Sequence, residues 1–467
     1  MYWRFIYSLF VVVMMVSIAG CGGDDDEGDD GIDGIVDSIV STVTLSEEQI
    51  EVQEKMESVS FKGGKTLDLV VGLGSGAFHS PNDPFDEFYT VTDRGPNIAC
   101  EDSKTLIGIE KFCLDHGSVD QNGKIFASPD FTPTIYKLNI DTGGAIGAKV
   151  GYHVQQAIKL MDRDDNPISG LINPLSEMLT EKGYDTQGKQ QVYDPEGVDP
   201  EALVKLSNGT FWLAEEYAPS LLHVAANGRI LERVVPVGLK KDLTKANYRI
   251  EERLPSILTK RQINRGIESL ALSPDEQFLY FMLESPLANP DETAFQNSRY
   301  VRLFKVSLQQ GDFSRMVSEH IYMIDEPETF LADDTSEQSD VKVSEMVALD
   351  IDKLIILERV FRHTKLYRIS NLDDATNILG TEWDIQAVST SSSALETLDN
   401  LAAIGIFPVG KSQVFDSRLE ISDLDSQIEG LALLNNEYVV FINDNNFGID
   451  GMKTRIRVAK IAQQLNQ

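Results

Sequence analysis

Cysteine and histidine are scarce in this chain: its 467 residues contain three of the first and six of the second. Cys21, Cys100 and Cys113 are too few for a disulfide-knit scaffold, and no two of them have the spacing of a metal knuckle. His79, His116, His153, His223, His320 and His363 are scattered with no spacing that builds a zinc site. Each suits a surface or capping role, with His79 the mild exception because it follows a glycine run and precedes the first acidic motif. That run, Gly72, Gly74 and Gly76, is no dinucleotide fingerprint, since no helical pattern follows it. Ser75 lacks the glycine two places ahead of it that a nucleophile elbow requires, so a serine-hydrolase reading has no support. Positive charge is short as well: 41 Lys and Arg face 74 Asp and Glu, a net charge of -33. Such a surface repels phosphate backbones and anionic lipid, which argues against nucleic acid as a partner. It suits divalent cations, or a small anionic substrate or ligand drawn in by bound cations.

The one long apolar run lies at the start. Arg4 is the only charge among the first twenty residues, and Phe5 to Ile18 is too short for a comfortable membrane span. Residues 1–20 read as a secretory signal peptide. It ends in Ser17-Ile18-Ala19-Gly20-Cys21, which resembles a bacterial lipobox; on that reading Cys21 is lipidated and becomes the mature N-terminus, the alternative being an ordinary signal peptide with a chance cysteine. Gly22 to Gly31 is a self-repelling acidic stretch that no core could absorb, so residues 21–59 read as a lipidated tether and linker. The expected location is the bacterial cell envelope, with the membrane reached through the lipid anchor alone. Cys100 and Cys113 could then close a disulfide in an oxidising compartment or remain two buried thiols.

From residue 60 to 467 amphipathic helices are scarce and short apolar runs alternate with Gly, Asn-Gly and Pro-Asp turns, which predicts an all-β domain. The clearest stretch runs from Glu196-Gly197-Val198 through Ala202–Leu206, Thr210–Tyr217, Ser220–Ala225 and Arg229–Val237, with turns at Asn208-Gly209 and Asn227-Gly228. Four strands in meander order make one blade of a β-propeller. The cycle of a Glu opening an apolar strand, a tight turn and a second strand ending in an acid recurs at Glu268 to Glu284, Glu345 to Glu358 and Glu429 to Asp444. A degenerate version spans Gly72 to Asp93, making five cycles, and a sixth blade could lie around 145–190 or 380–425.

Inner strands of a propeller line a central channel, so Glu196, Glu268, Glu345 and Glu429 are expected to converge there. Converging carboxylates persist only if a cation, a proton or an arginine neutralises them. Oxygen ligands without cysteine or clustered histidine point to calcium first and another divalent cation second, with Asp444 and Asn445 as further ligands. The alternative is that each Glu caps its own blade or pairs with an arginine. The stretch Asp325 to Asp340, seven acids in sixteen residues, reads as a solvated loop.

Thr92-Asp93-Arg94-Gly95-Pro96-Asn97, Asp194-Pro195-Glu196-Gly197, Asn264 to Ala271, Leu283 to Leu287, Glu345 to Leu349 with Leu357-Glu358-Arg359, and Ile428 to Ala432 with Asn443 to Gly448 resemble, in order, the motifs of the phytase-like domain family known as "esterase-like activity of phytase". The resemblance spans roughly residues 60 to 460 and implies a secreted bacterial β-propeller, similar in style to calcium-dependent propeller phytases and lactonases. Two positions depart from the family: Asn446 stands where Asp is frequent, and Ser269 where Gly is usual. The residues suggest a chemistry of their own. Arg94, Arg265 and Arg359 each sit beside a motif acid, and a guanidinium suits a phosphate oxygen as well as a carboxylate. Asp93, Arg94, Glu284 and Arg359 are the candidate catalytic residues, and Arg94, Arg265 and Arg359 the candidate substrate-binding ones. The leading reading is a metal-dependent phosphoester hydrolase, with a lactonase or esterase as variant chemistry. The competing reading is a noncatalytic, calcium-stabilised propeller that binds a ligand or partner, its arginines locking the blades together.

The anchor is tested by fractionation. Cys21→Ser is expected to move the protein from the membrane pellet to the soluble fraction. A wild type already soluble would remove the lipid from the account.

Overall fold

The computed structural model describes residues 47, 49–141, 151–385 and 394–466. The expected signal peptide, Cys21 and the tether through residue 46 lie outside the described residues. Five sheets carry the β-propeller, each a meander running outward from an inner strand. The first blade comprises Gly76–Phe78, Glu87–Val91, Thr134–Ile140 and Tyr152–Lys159. The second comprises Pro200–Lys205, Phe211–Glu215, Ser220–Val224 and Ile230–Pro236, with Arg249–Leu254 added in parallel at its edge. The third contains Ile267–Leu272, Phe278–Leu283, Tyr300–Gln309 and Asp312–Met323, and the fourth Lys342–Asp350, Lys353–Arg359, Thr364–Ile369 and Ser412–Asp416. Ile428–Leu433, Val439–Asn443 and Arg455–Ala459 form the fifth with Gln49–Glu51. The inner strands neighbour one another in cyclic order: each packs on the next, and Ile428–Leu433 packs on Gly76–Phe78.

Three boundaries differ from the sequence reading. The sequence reading closes the propeller by setting strands near 66 to 78 against those near 454 to 461, whereas the strand that completes the carboxy-terminal sheet is Gln49–Glu51, paired through Ile50 and Ile456. The folded body therefore begins inside the stretch expected to be linker, because Ile50 and Val52 have the apolar side chains to fill a core with Phe88, Leu138, Val440 and Ile456. The glycine run has another task. A Cβ on Gly74 would stand 1.9 Å from the Asn443 carbonyl oxygen, and one on Gly76 would stand 2.7 Å from that of Glu201. The first inner strand thus threads between two neighbouring backbones that leave no room for side chains. Finally, the stretches that could have held a sixth blade supply edges to others: Tyr152–Lys159 ends the first and Ser412–Asp416 the fourth. Among the described residues there is no sixth blade.

Core residues alternate along each strand because both faces of every blade are covered. Phe88 and Leu138 point toward the fifth blade, while Tyr89, Val91 and Ile135 point toward Leu213 and Val224 of the second. Ile355, Leu357 and Phe415 of the fourth blade meet Val439 and Phe441 of the fifth. This two-sided burial explains why the strands read as nearly continuous apolar runs.

Above the inner strands, Asn97–Ala99, Lys124–Phe126 and Gly183–Tyr184 form a small separate sheet. Cys100 and Cys113 are disulfide-bonded beside it, with their Cα atoms 5.9 Å apart. Deleting residues 450–467 removes the partner of Gln49–Glu51 and the buried Ile456 and Val458. Calorimetry should show the whole transition destabilised by more than about 3 kcal/mol, the cost of emptying several core positions. An unchanged melting temperature would contradict this packing.

Candidate metal and substrate centre

One irregularity in strand register builds the centre. Pairing steps from Pro200↔Glu215 to Ala202↔Ala214, from Ile267↔Leu283 to Ser269↔Met282, and from Ile428↔Asn443 to Gly430↔Ile442. Glu201, Glu268 and Glu429 are the extra residues, and a bulge at the rim of a sheet re-aims the side chain it carries. A second tier comes from the residues just past the second strands: Asp93, Glu216, Glu284 and Asp444. Both tiers line one chamber of about 250 Å³, together with Ser75, Asn264, Lys342, Asn446 and residues of the covering sheet.

The chamber is dominated by carboxylates. Ligand oxygens of Asp93, Asp199 and Glu201 lie within 4.8 Å of one another, as do those of Glu216, Glu268 and Glu284. At that spacing two charges repel by about 3.5 kcal/mol even at an effective dielectric near 20. Burial, then the neighbouring carboxylates, pushes Glu201, Glu268 and Glu216 well above the ordinary glutamate range. Asp93 rises for the same causes, burial first and then Asp199 and Asp444. Burial raises Glu429 to about 8 although Arg359 opposes it. Glu284 goes the other way: burial alone would raise it, but Arg265, Lys342 and Arg359 hold it at about 2. Glu268 Oε2 and Asp444 Oδ1 are buried without a hydrogen-bond partner. Carboxylates grouped in threes, with no sulfur or imidazole among them, fit a hard divalent cation.

The expected ligand set is partly displaced. Glu268, Glu429 and Asp444 line the chamber. Glu196 does not: it sits in a turn and accepts from the Asn247 amide, because the register-equivalent acid of its blade is Glu201, five residues later. Glu345 also misses. In the fourth blade pairing steps from Val343↔Glu358 to Glu345↔Leu357, so Ser344 holds the bulge position. Glu345 instead accepts amides from Ala77 at 3.1 Å and Met346 at 2.9 Å, joining the first and fourth blades inside the channel. Asn445 is spent on its own turn, its Oδ1 accepting from Phe447 N at 3.0 Å.

The same slip brings Arg359 to the tier that carries acids elsewhere, where it bonds Ser344 Oγ at 2.8 Å and pairs with Glu429 of the next blade. Glu358 accepts from the Tyr322 hydroxyl and Asp325 N and pairs with Lys411. Arg265 pairs with Glu284 at 2.5 Å. Arg94 is buried between Phe126 and Tyr217 and pairs with Glu181 at 3.1 Å and Asp199 at 3.2 Å. All three motif arginines therefore engage carboxylates in the fold. His79 lies at the opposite end of the channel, bonded to the Glu87 carbonyl. The acidic loop is not wholly solvated: Asp325 bonds Tyr367 and pairs with Lys365 and Lys411.

Asp199, Glu201 and Glu216 escaped the sequence reading. Signals existed for two of them: Glu201 is second in its strand, as Glu268 and Glu429 are in theirs, and Glu216 directly follows a second strand as Glu284 does.

Residues 118–447 match the family model described as Phytase-like, esterase-like activity of phytase. The chain belongs to the phytase-like family. The phytase-like match takes in every chamber acid named above except Asp93, with Ser75 and the disulfide also lying before it. An uncharacterized secreted protein of Arthroderma benhamiae is 25% identical over 154 residues, which is 28% of this chain and 30% of that protein. The chain thus matches under a third of that relative's length. The solved Malassezia sympodialis allergen Mala s 1 aligns over 89% of this chain and 96% of its own, with a TM-score of 0.33 at 9% identity. The PQQ-bound aldose sugar dehydrogenase of Streptomyces coelicolor aligns over 89% and 99%, with a TM-score of 0.31 at 8% identity.

The pH dependence follows from the carboxyls. Groups whose values rise on folding contribute stability that is intact below the ordinary glutamate value of about 4.3 and is lost as pH climbs through the folded value. For Glu429 that loss extends to about 8. Glu284 acts oppositely and loses its contribution only as pH falls toward about 2. In chelator, stability should therefore decline from pH 6.5 to 8.5, above the range in which the buried His79, His223 and His320 become charged. Glu268→Gln should recover on the order of 2 kcal/mol at pH 8.5 by removing one repelling charge. Denaturant titration reads both, and a flat profile would contradict the arrangement.

Proposed function

We propose that this phytase-like protein is exported to the bacterial cell envelope, held there by lipid on Cys21, and hydrolyses a phosphoester with divalent cations, calcium foremost, held in the acidic chamber. The observation that carries the proposal is the convergence of acids from four blades on one chamber, five of which, with the adjoining Asp199, make two three-carboxylate groups. Asp93, Asp199 and Glu201 would hold one cation and Glu216, Glu268 and Glu284 another, with Glu429 and Asp444 beside them. Bound there, the cations would supply charge stabilisation for a phosphoryl group and lower the pKa of a coordinated water. The chain's own contribution is positional. Arg265 and Lys342 fix the Glu284 carboxylate at 2.5 and 2.7 Å, and Arg359 orients Glu429. Export agrees with the disulfide and with the secreted relative.

A second reading has its own support, because Arg94, Arg265 and Arg359 are all paired inside the protein. A noncatalytic propeller stabilised by calcium, which binds a ligand at the chamber, would be built this way too. The deciding assay sets purified full-length protein against phosphomonoesters, phosphodiesters, phytate and lactones, with and without calcium. Calcium-dependent phosphate release that Glu216→Gln reduces at least about a hundredfold supports the hydrolase. Thermal stabilisation by calcium without release of any product selects the binding protein. Calcium at a hundred times its Kd should add about 2.7 kcal/mol of stability by mass action. Glu268→Gln should lose most of that gain, whereas Glu328→Gln, in the exposed acidic loop, should keep it.

A further inference from the structure

Two cationic groups beside the chamber have hydrogen-bonding capacity that the fold does not use. Lys124 lines the chamber, and among the described residues its ammonium has no ion pair or hydrogen bond. Lys342, the other lysine lining it, is committed to Glu284 at 2.7 Å. Arg94 uses Nε and Nη2 on Asp199, Glu181 and Asn264, but its Nη1 is buried with no partner. Arg94 stacks over Phe126, two residues from Lys124 on the same strand, and burial first with the Arg94 charge second push the Lys124 ammonium down from its ordinary value.

Lys124 is also held rigidly. It occupies the central strand of the covering sheet, opposite Ala99 on one side and Gly183 on the other. The adjacent Cys100 amide bonds the Gly123 carbonyl at 2.9 Å, which ties the strand to the disulfide. An unpaired ammonium facing an otherwise acidic chamber, with an unpaired guanidinium N–H buried behind that wall, is relieved by an anion held at the ammonium. We infer that Lys124, with Arg94 behind it, forms a receiving site for a tetrahedral anion, taken here as a phosphate group of the substrate. The identity of that anion rests on the phosphoester reading above; the receiving site itself does not require turnover.

The probe is methylphosphonate, a soluble tetrahedral anion that a phosphoester hydrolase cannot cleave, titrated calorimetrically into the calcium-loaded full chain. Lys124→Met should weaken its binding at least about tenfold, and Lys124→Arg should stay within about threefold of wild type. Calcium affinity should be unchanged or tighter in Lys124→Met, since the variant removes a positive charge from beside the carboxylates. Methylphosphonate binding that survives Lys124→Met, or is absent from wild type, overturns the inference. So does a joint loss of calcium affinity and melting temperature, which would make Lys124 a structural part of the cover. Binding through Lys124 with no phosphoester hydrolysed would leave this site standing and remove the hydrolase. Hydrolysis with an unchanged KM in Lys124→Met would do the reverse.

Discussion

Carboxylates from four blades share a chamber in which their mutual repulsion has little water to screen it, and the rest of the molecule is arranged around that constraint. A sheet meander can hold such groups only if its backbone is rigid where they emerge. The bulges at Glu201, Glu268 and Glu429 meet that need: each extra residue turns a side chain toward the axis while its neighbours on both sides stay in register with the second strand. Apolar packing between blades then fixes the distances, because Leu270, Leu431 and their equivalents are buried just beyond the acids.

The charge is balanced unevenly. On the side of the fourth blade fixed cations answer the acids: Lys342 meets Glu284, and Arg359 meets Glu429 across a blade boundary. Breaking such a buried pair by removing one partner commonly costs about 3–5 kcal/mol, so Lys342 and Arg359 are as much part of the fold as of any site. Glu201 and Glu268 have no fixed cation of their own; both carboxyls are strongly raised, and Glu268 Oε2 is left without a partner. The asymmetry separates a permanently neutralised wall from one that needs a proton or an exchangeable cation.

Much of this was legible in the sequence, and the misses have a single physical origin. The repeated Glu-strand-turn-acid cycle revealed five blades and brought Glu268, Glu429, Asp93, Glu284 and Asp444 to one place. Glu345 matches Glu268 in its sequence context, Glu-Met-Val-Ala-Leu beside Glu-Ser-Leu-Ala-Leu. A shift of one residue in pairing nevertheless hands its position to Ser344, and because side chains alternate along a strand the acid turns to backbone amides instead. Glu196 failed for a related reason: the motif around it is a turn, and its blade's inner strand starts four residues later at Pro200. Strand register is set by long-range pairing, which no local pattern displays. The pairing of Gln49–Glu51 with residues near the opposite terminus was hidden for the same reason.

The central claim is that the two three-carboxylate groups hold cations. Crystals soaked in manganese, as an anomalous stand-in for calcium, give the most direct test. The account predicts two anomalous peaks inside the chamber, one bounded by Asp93, Asp199 and Glu201 and the other by Glu216, Glu268 and Glu284, both displaced by excess calcium. A chamber without either peak in crystals that carry manganese on their surface acids would contradict it.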